Sequence, residues 1–237
     1  MCLIITKTSN GKVCWASADR SALSNPNGYG VAYAEDGEAK FLKSMKWSDV
    51  RRKAKELESN GAPFIIHQRL ATHGASTKEN CHPFTLSDHG LVMAHNGIIS
   101  SLHVPAGMSD SRVLAKYLND SMPEGFLTDE DSREHVTELM EGYSKLSFID
   151  GHGNVFFINE ELGKWHDGCW YSVPYAVQDT VAPAYAYDPR KWRKERKTKS
   201  RVVTWTRPNS NLDSLPDHYG VRRGRKLTQS DLWEDEN

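Results

Sequence analysis

Short apolar runs parted by turn residues fill the first 180 positions of the chain, with three stretches of helical spacing set among them. Residues 2–7 and 12–18 read as β-type runs around Ser9-Asn10-Gly11 and predict an opening hairpin. Residues 28–34 and 38–43 predict a second hairpin about Glu35-Asp36-Gly37. Over 48–59 the apolar positions Val50, Ala54 and Leu57 recur at helical spacing behind Ser48, which is placed to cap. Residues 62–68 and 90–94 are strands that run straight into Arg69 and into His95-Asn96-Gly97. Ser109 stands before a helix over 110–119 with Val113, Leu114, Tyr117 and Leu118 on one face. The pattern repeats over 129–142 with Val136, Leu139, Met140 and Tyr143, and a third hairpin follows over 145–150 and 154–159. Hairpins, then helices, then hairpins predict an α+β fold of antiparallel sheet covered by helices.

Composition narrows the class. An apolar share of 38% against 26% charged residues fits a globular domain and leaves no run near the roughly 20 residues of a membrane helix. The apolar start from Cys2 to Ile5 is too short for a secretory signal, so a cytoplasmic protein with no membrane contact is expected. Cys2, Cys14, Cys81 and Cys169 form no Cys-x-x-Cys pair, and reduced thiols are expected rather than a disulfide framework. The net charge of −1 hides an asymmetry: residues 190–237 hold 13 Lys/Arg and 7 Asp/Glu. We expect a domain over 1–180 and a basic, partly mobile extension over 181–237. The stretch from Arg190 to Arg201 is a candidate polyanion contact.

Four positions carry candidate chemistry. Removal of Met1 would leave Cys2 with a thiol and a free α-amine, whose ordinary pKa near 8 suits a built-in base. Arg69, in Arg69-Leu70-Ala71-Thr72-His73-Gly74 at a strand end, can grip a carboxylate through two parallel hydrogen bonds. In His95-Asn96-Gly97, a side-chain amide beside a glycine N–H can form an oxyanion hole. Asp110, at a helix start, can hold an ammonium group. Singly, each has a plainer reading: an accidental Met-Cys start, a surface ion pair, an Asn-Gly turn, a helix cap.

Taken in order, Cys2, R-x-A-T-H-G, Asn80-Cys81-His82-Pro83-Phe84, His95-Asn96-Gly97-Ile98-Ile99 and Ser109-Asp110-Ser111 resemble the class II glutamine amidotransferases of the N-terminal-nucleophile hydrolase superfamily. The stretch from Asn25 to Ala32 is similar to a segment of small stand-alone members, some of which occur in phage genomes. The resemblance covers about residues 2–160 and implies a four-layer αββα sandwich. It implies a Cys2 nucleophile and an oxyanion hole of Asn96 and Gly97. It further implies a glutamine α-carboxylate held by Arg69 with Thr72 and His73 around it, and an α-ammonium held by Asp110. Leu70 stands where the synthases have Trp, Asn27 where Asp is frequent before Gly28, and Ser111-Arg112 where Thr-Glu is usual.

The implied activity is release of ammonia from L-glutamine through a Cys2 thioester, with no cofactor. No nucleotide or phosphate motif follows, so a separate ammonia-accepting enzyme is expected. Cys81, His82, His89 and His95 match no paired-ligand spacing for zinc, and no metal is expected. Two other readings stay open: an amidase acting on another γ-glutamyl-type amide, and a non-catalytic binding module on the same fold.

Overall fold

A computed structural model of the chain describes residues 2–72 and 74–177. The elements are β1 (Leu3–Lys7), α1 (Trp15–Ser24), β2 (Tyr29–Glu35), β3 (Glu38–Ser44), α2 (Trp47–Ser59), β4 (Phe64–Gln68), β5 (Phe84–Leu86) and β6 (Leu91–Asn96). They continue with α3 (Asp110–Ser121), α4 (Glu130–Leu139), β7 (Lys145–Asp150), β8 (Val155–Ile158), β9 (Lys164–His166) and β10 (Cys169–Tyr171). Two antiparallel sheets result, ordered β3-β2-β4-β1-β10-β9 and β5-β6-β7-β8. Among the described residues no helix is long and apolar enough to cross a membrane.

Three apolar layers define the architecture. Ile4, Ala32, Ile65 and Trp170 of the first sheet meet Val92, Ala94 and Ile149 of the second. On its outer face the first sheet turns Leu3, Ile5, Val31 and Ile66 toward Ala18 and Ala22 of α1 and Val50, Ala54 and Leu57 of α2. On its outer face the second sheet turns Met93, Leu146 and Phe148 toward Leu114 and Leu118 of α3 and Val136 and Leu139 of α4. The order is therefore helices, sheet, sheet, helices: the αββα sandwich. It explains why β1 and β4 are buried along their whole length and show no polar alternation, since both faces of each strand are covered.

The hairpins over 29–44 and 145–158 form as the sequence predicts. The opening hairpin does not. Residues 15–24 are helical, not extended, and β1 pairs with β4 and β10. Ala18 and Ala22, four apart, seat α1 on the sheet. The small Ala/Ser side chains favour a helix that approaches closely over the β-type reading of residues 12–18. The Ser9-Gly11 turn instead abuts the turn between β9 and β10, where Lys12 N–H donates to Asp167 O at 2.8 Å. Ser48 does not cap α2: the helix begins at Trp47, and Ser44 Oγ, three residues before it, donates to Asp49 at 2.7 Å. Ser109 does cap α3, accepting from Arg112 N–H at 3.2 Å, and Asp129 caps α4 by the same device at 2.8 Å. The extension expected over 181–237, with Arg190 to Arg201, lies outside the described residues, as do Met1 and His73.

Candidate active site

Strand pairing brings the candidate residues to one end of the sandwich. β1 and β4 run antiparallel with Leu3 opposite Gln68, so the residue before β1 lies beside the residues after β4. Cys2 thereby reaches Leu70: the Leu70 N–H donates to Cys2 Sγ at 3.3 Å, and the thiol lies 3.4 Å from Leu70 O. One backbone unit can serve both states of the sulfur, its carbonyl accepting from a thiol and its N–H donating to a thiolate. Burial pushes the Cys2 thiol above its ordinary pKa; the Leu70 hydrogen bond and the Arg69 guanidinium pull it down, and Asp110 adds to the rise. A cation and an anion thus both act on this thiol.

Arg69 is buried, and its loop is tied down at several points. Its backbone N–H donates to Gly28 O at 2.9 Å and its carbonyl accepts from Asn27 N–H at 3.0 Å. Asn27 Oδ1 takes the Ala71 N–H at 3.0 Å, so asparagine here fastens the loop with its oxygen. Gly28 sits at φ +122°, and a Cβ there would stand 2.1 Å from Cys81 Sγ, so only glycine fits. Ala75 O accepts from Arg69 Nη1 at 3.0 Å and from Asn80 Nδ2 at 3.1 Å. Asn80, fully buried, also donates to Gly107 O at 2.7 Å and accepts from Ser109 N–H at 3.1 Å. It therefore joins the arginine loop to the start of α3.

Asp110 is buried at that helix start. Its Oδ2 accepts from Ile99 N–H at 3.0 Å, and its Oδ1 from Ser111 N–H at 2.8 Å and Ser111 Oγ at 3.2 Å. His95 Nδ1 lies 2.8 Å from the same hydroxyl. A carboxylate only accepts, so Ser111 O–H gives its proton to Asp110 and His95 Nδ1–H donates to Ser111. Burial keeps His95 neutral, with its pKa lowered to about 4.

Asn96 ends β6 with its side chain buried, its Nδ2 donating to Ser172 Oγ at 2.8 Å. A Cβ on Gly97 would stand 2.0 Å from Ser144 Oγ, so this strand end admits no larger residue. The structure thus brings Cys2, Arg69, Asp110 and Asn96-Gly97 to one end of the two sheets. Thr72 is exposed on the loop beyond Arg69. Asn80 and Ser111 stand in motifs that carry the resemblance but have no role there, Ser111 also being part of a departure, and Ser172 carries no local sequence signal at all.

A cavity of about 520 Å³ lies at the opposite end of β1, lined by Lys7, Asn10, Trp15 and Glu58 among others. Two of its charged groups are engaged: Lys7 Nζ donates to three carbonyls, and Glu58 accepts from Val13 N–H and Trp15 Nε1. Among the described residues no group of three or more His, Cys, Asp or Glu side chains is arranged to hold a metal ion.

Comparison with known proteins gives the family of the chain. The family model described as glutamine amidotransferases class-II matches residues 2–162. Glutamine--fructose-6-phosphate aminotransferase [isomerizing] of Streptococcus pyogenes serotype M3 is 26% identical over 132 residues, which is 51% of this chain and 22% of that protein. The same-named protein of Sulfolobus acidocaldarius is 26% identical over 144 residues, 56% of this chain and 24% of its own length. The chain spans about a fifth of the length of the first of these relatives. The solved glutamine phosphoribosylpyrophosphate amidotransferase from B. subtilis, complexed with ADP and GMP, superposes with a TM-score of 0.44 at 18% identity. That alignment covers 72% of this chain and 41% of the other.

Proposed function

The chain belongs to the class-II glutamine amidotransferase family, and on that premise we propose that it releases ammonia from L-glutamine through a thioester on Cys2 and passes it to a separate acceptor enzyme. One observation carries the reading: the Cys2 thiol, held against the Leu70 backbone, lies at the end of the sandwich that also carries a buried arginine and a buried aspartate, both of which act on it. That is the complement of an α-amino acid zwitterion. Arg69 takes the α-carboxylate through its planar fork and Asp110 the α-ammonium, with Thr72 and His73 on the loop around them. The side-chain amide carbon then faces Cys2 Sγ.

The steps follow from the groups present. Burial raises the Cys2 pKa, so the sulfur needs a base close by. The α-amine freed by loss of Met1 supplies it, taking the thiol proton as sulfur bonds to the amide carbon. Negative charge grows on the amide oxygen, and Asn96 Nδ2 and the Gly97 N–H receive it. One Nδ2 hydrogen is held by Ser172, which leaves the other for the oxyanion. The protonated amine hands its proton to the departing nitrogen, ammonia leaves and the acyl group stays on sulfur. Water then cleaves the thioester to glutamate.

Intact mass and labelling test this directly. The purified protein should lack Met1, hydrolyse glutamine, and take up the glutamine analogue diazo-oxonorleucine at Cys2. Cys2→Ala should abolish both activities. Labelling at Cys14, Cys81 or Cys169, or hydrolysis that survives Cys2→Ala, would refute the reading. Faster turnover of another γ-glutamyl amide would move the substrate assignment and leave the nucleophile in place.

A further inference from the structure

The proposed nucleophile and the proposed oxyanion donor belong to different sheets. Cys2 precedes β1 in the first sheet, and Asn96 ends β6 in the second. Their relative position must be right to a fraction of an ångström, because a misplacement of about 1 Å can lower a rate about 100-fold. Something must therefore couple the two strand ends.

The residue between them is Ser172. It follows β10, whose register against β1 sets Tyr171 opposite Ile5. The pairing extends one residue further, with Ser172 N–H donating to Ile4 O at 3.0 Å. The Ser172 hydroxyl then accepts twice: from Ile4 N–H at 2.9 Å and from Asn96 Nδ2 at 2.8 Å. A serine oxygen has two acceptor positions, and both are filled. Ser172 is 1% exposed, so water does not stand in for either partner. One oxygen thus holds both the backbone two residues beyond Cys2 and the amide that points at the reacting carbonyl.

We infer that Ser172 is a positioning residue for glutamine hydrolysis, fixing Asn96 Nδ2 relative to the Cys2 strand so that the oxyanion hole is formed before substrate binds. The inference rests on the proposed reading of the site. It also explains why a serine is needed there. Alanine would leave two buried donors unsatisfied, and asparagine amides without a partner rotate freely about the Cβ–Cγ bond.

The two sheets share a second hydroxyl contact, which serves as the control. Thr6 Oγ1 and Ser147 Oγ meet at 2.7 Å deeper between the same sheets, away from the site. The paired change Thr6→Val with Ser147→Ala removes both hydroxyls and should leave kcat within about twofold. Ser172→Ala should lower kcat by about 10- to 100-fold with KM shifted less than about threefold. In an Asn96→Ala background, where the donor is already gone, the same change should alter kcat less than about twofold. Ser172→Cys keeps the shape and weakens the acceptor, so it should show a smaller loss and provides the same cycle where the alanine variant does not fold.

Equal losses in the two backgrounds would overturn the inference, as would a Ser172→Ala variant with lowered Tm and unchanged kcat. Failure of the underlying reading shows separately, as hydrolysis that survives Cys2→Ala. The inference falls with it.

Discussion

Asp110 is oriented before any ligand arrives. Both carboxylate oxygens accept hydrogen bonds from the chain, and Ser111 and His95 extend that support into the core. Such a carboxylate recognises an ammonium by charge and direction. An asparagine would keep one acceptor but turn an amide N–H toward the Ile99 N–H. Asp110→Asn should therefore raise KM for glutamine by roughly 10- to 100-fold, the worth of about 1.5–3 kcal/mol for a hydrogen bond to a charged group. Steady-state kinetics should show a much smaller rise for an amide lacking the α-amine. Equal rises on both substrates would reduce Asp110 to a helix start. Asn96→Ala acts on another quantity, lowering kcat by about 100- to 1000-fold with a smaller change in KM. At this scale the sequence marked the groups proposed to touch substrate, because thiol, guanidinium, amide and carboxylate have distinctive chemistry. It did not name the groups that hold them. Ser172 and Ser111 act through geometry that only the folded pairing of β1, β10, β6 and α3 creates.

Three elements bring histidines together beneath the site. His67 on β4, His82 before β5 and His95 on β6 are all buried, with His67 and His82 rings 3.9 Å apart. His67 Nε2 lies 3.1 Å from His95 O, so it donates and joins the two sheets. Burial lowers the pKa of His67 to about 3 and that of His95 to about 4, and takes His82 well below its ordinary value. Lys43, Arg69 and Lys145 face the trio and oppose protonation, while Asp110 favours it at His95. In the unfolded chain each histidine takes up a proton near pH 6.5. Between that value and about pH 4 the unfolded state holds more protons, so stability falls as pH falls, by up to about 1.4 kcal/mol per unit for each histidine. Urea midpoints should drop steeply from pH 7.5 to pH 5, and His82→Phe should make the drop shallower. An unchanged slope in that variant would place the acid sensitivity elsewhere. The elements themselves were legible where burial was strong and local. β4 and β6 open on continuous apolar runs over 64–66 and 91–94, and α2 and α3 carry regular helical spacing. α1 was misread because its apolar residues sit close together at its start, and only contact with the first sheet selects Ala18 and Ala22. β9 and β10, three residues each, are too short to stand out from a loop and become strands by pairing, β10 with β1 and β9 with β10.

The order of strands in the first sheet decides where the chain can be cut. β10 lies beside β1, and β1 lies beside β4, so residues 169–171 occupy an interior position next to the strand that carries Cys2. Tyr171 adds a hydrogen bond from Cys14 N–H to its hydroxyl at 3.0 Å. Val173 and Val177 then complete the apolar layer under α1. The last described residues are thus part of the core, and the basic stretch from Arg190 to Arg201 follows them in sequence. Every group assigned to glutamine hydrolysis precedes residue 178. A chain ended after residue 180 should keep kcat within about twofold and unfold within a few degrees of the full chain. It should lose retention on heparin, and the full chain's retention should weaken steeply with salt, as binding by clustered Lys/Arg requires. A chain ended after residue 168 removes β10 and Ser172. It exposes the backbone of β1 and leaves Ile4 N–H and Asn96 Nδ2 without an acceptor, so it should not yield folded protein. Circular dichroism melting and a glutaminase assay on the two truncations separate these outcomes. If ending the chain after residue 180 also abolished folding or hydrolysis, residues 181–237 would belong to the catalytic body, and the reading of them as a separate basic extension would be wrong.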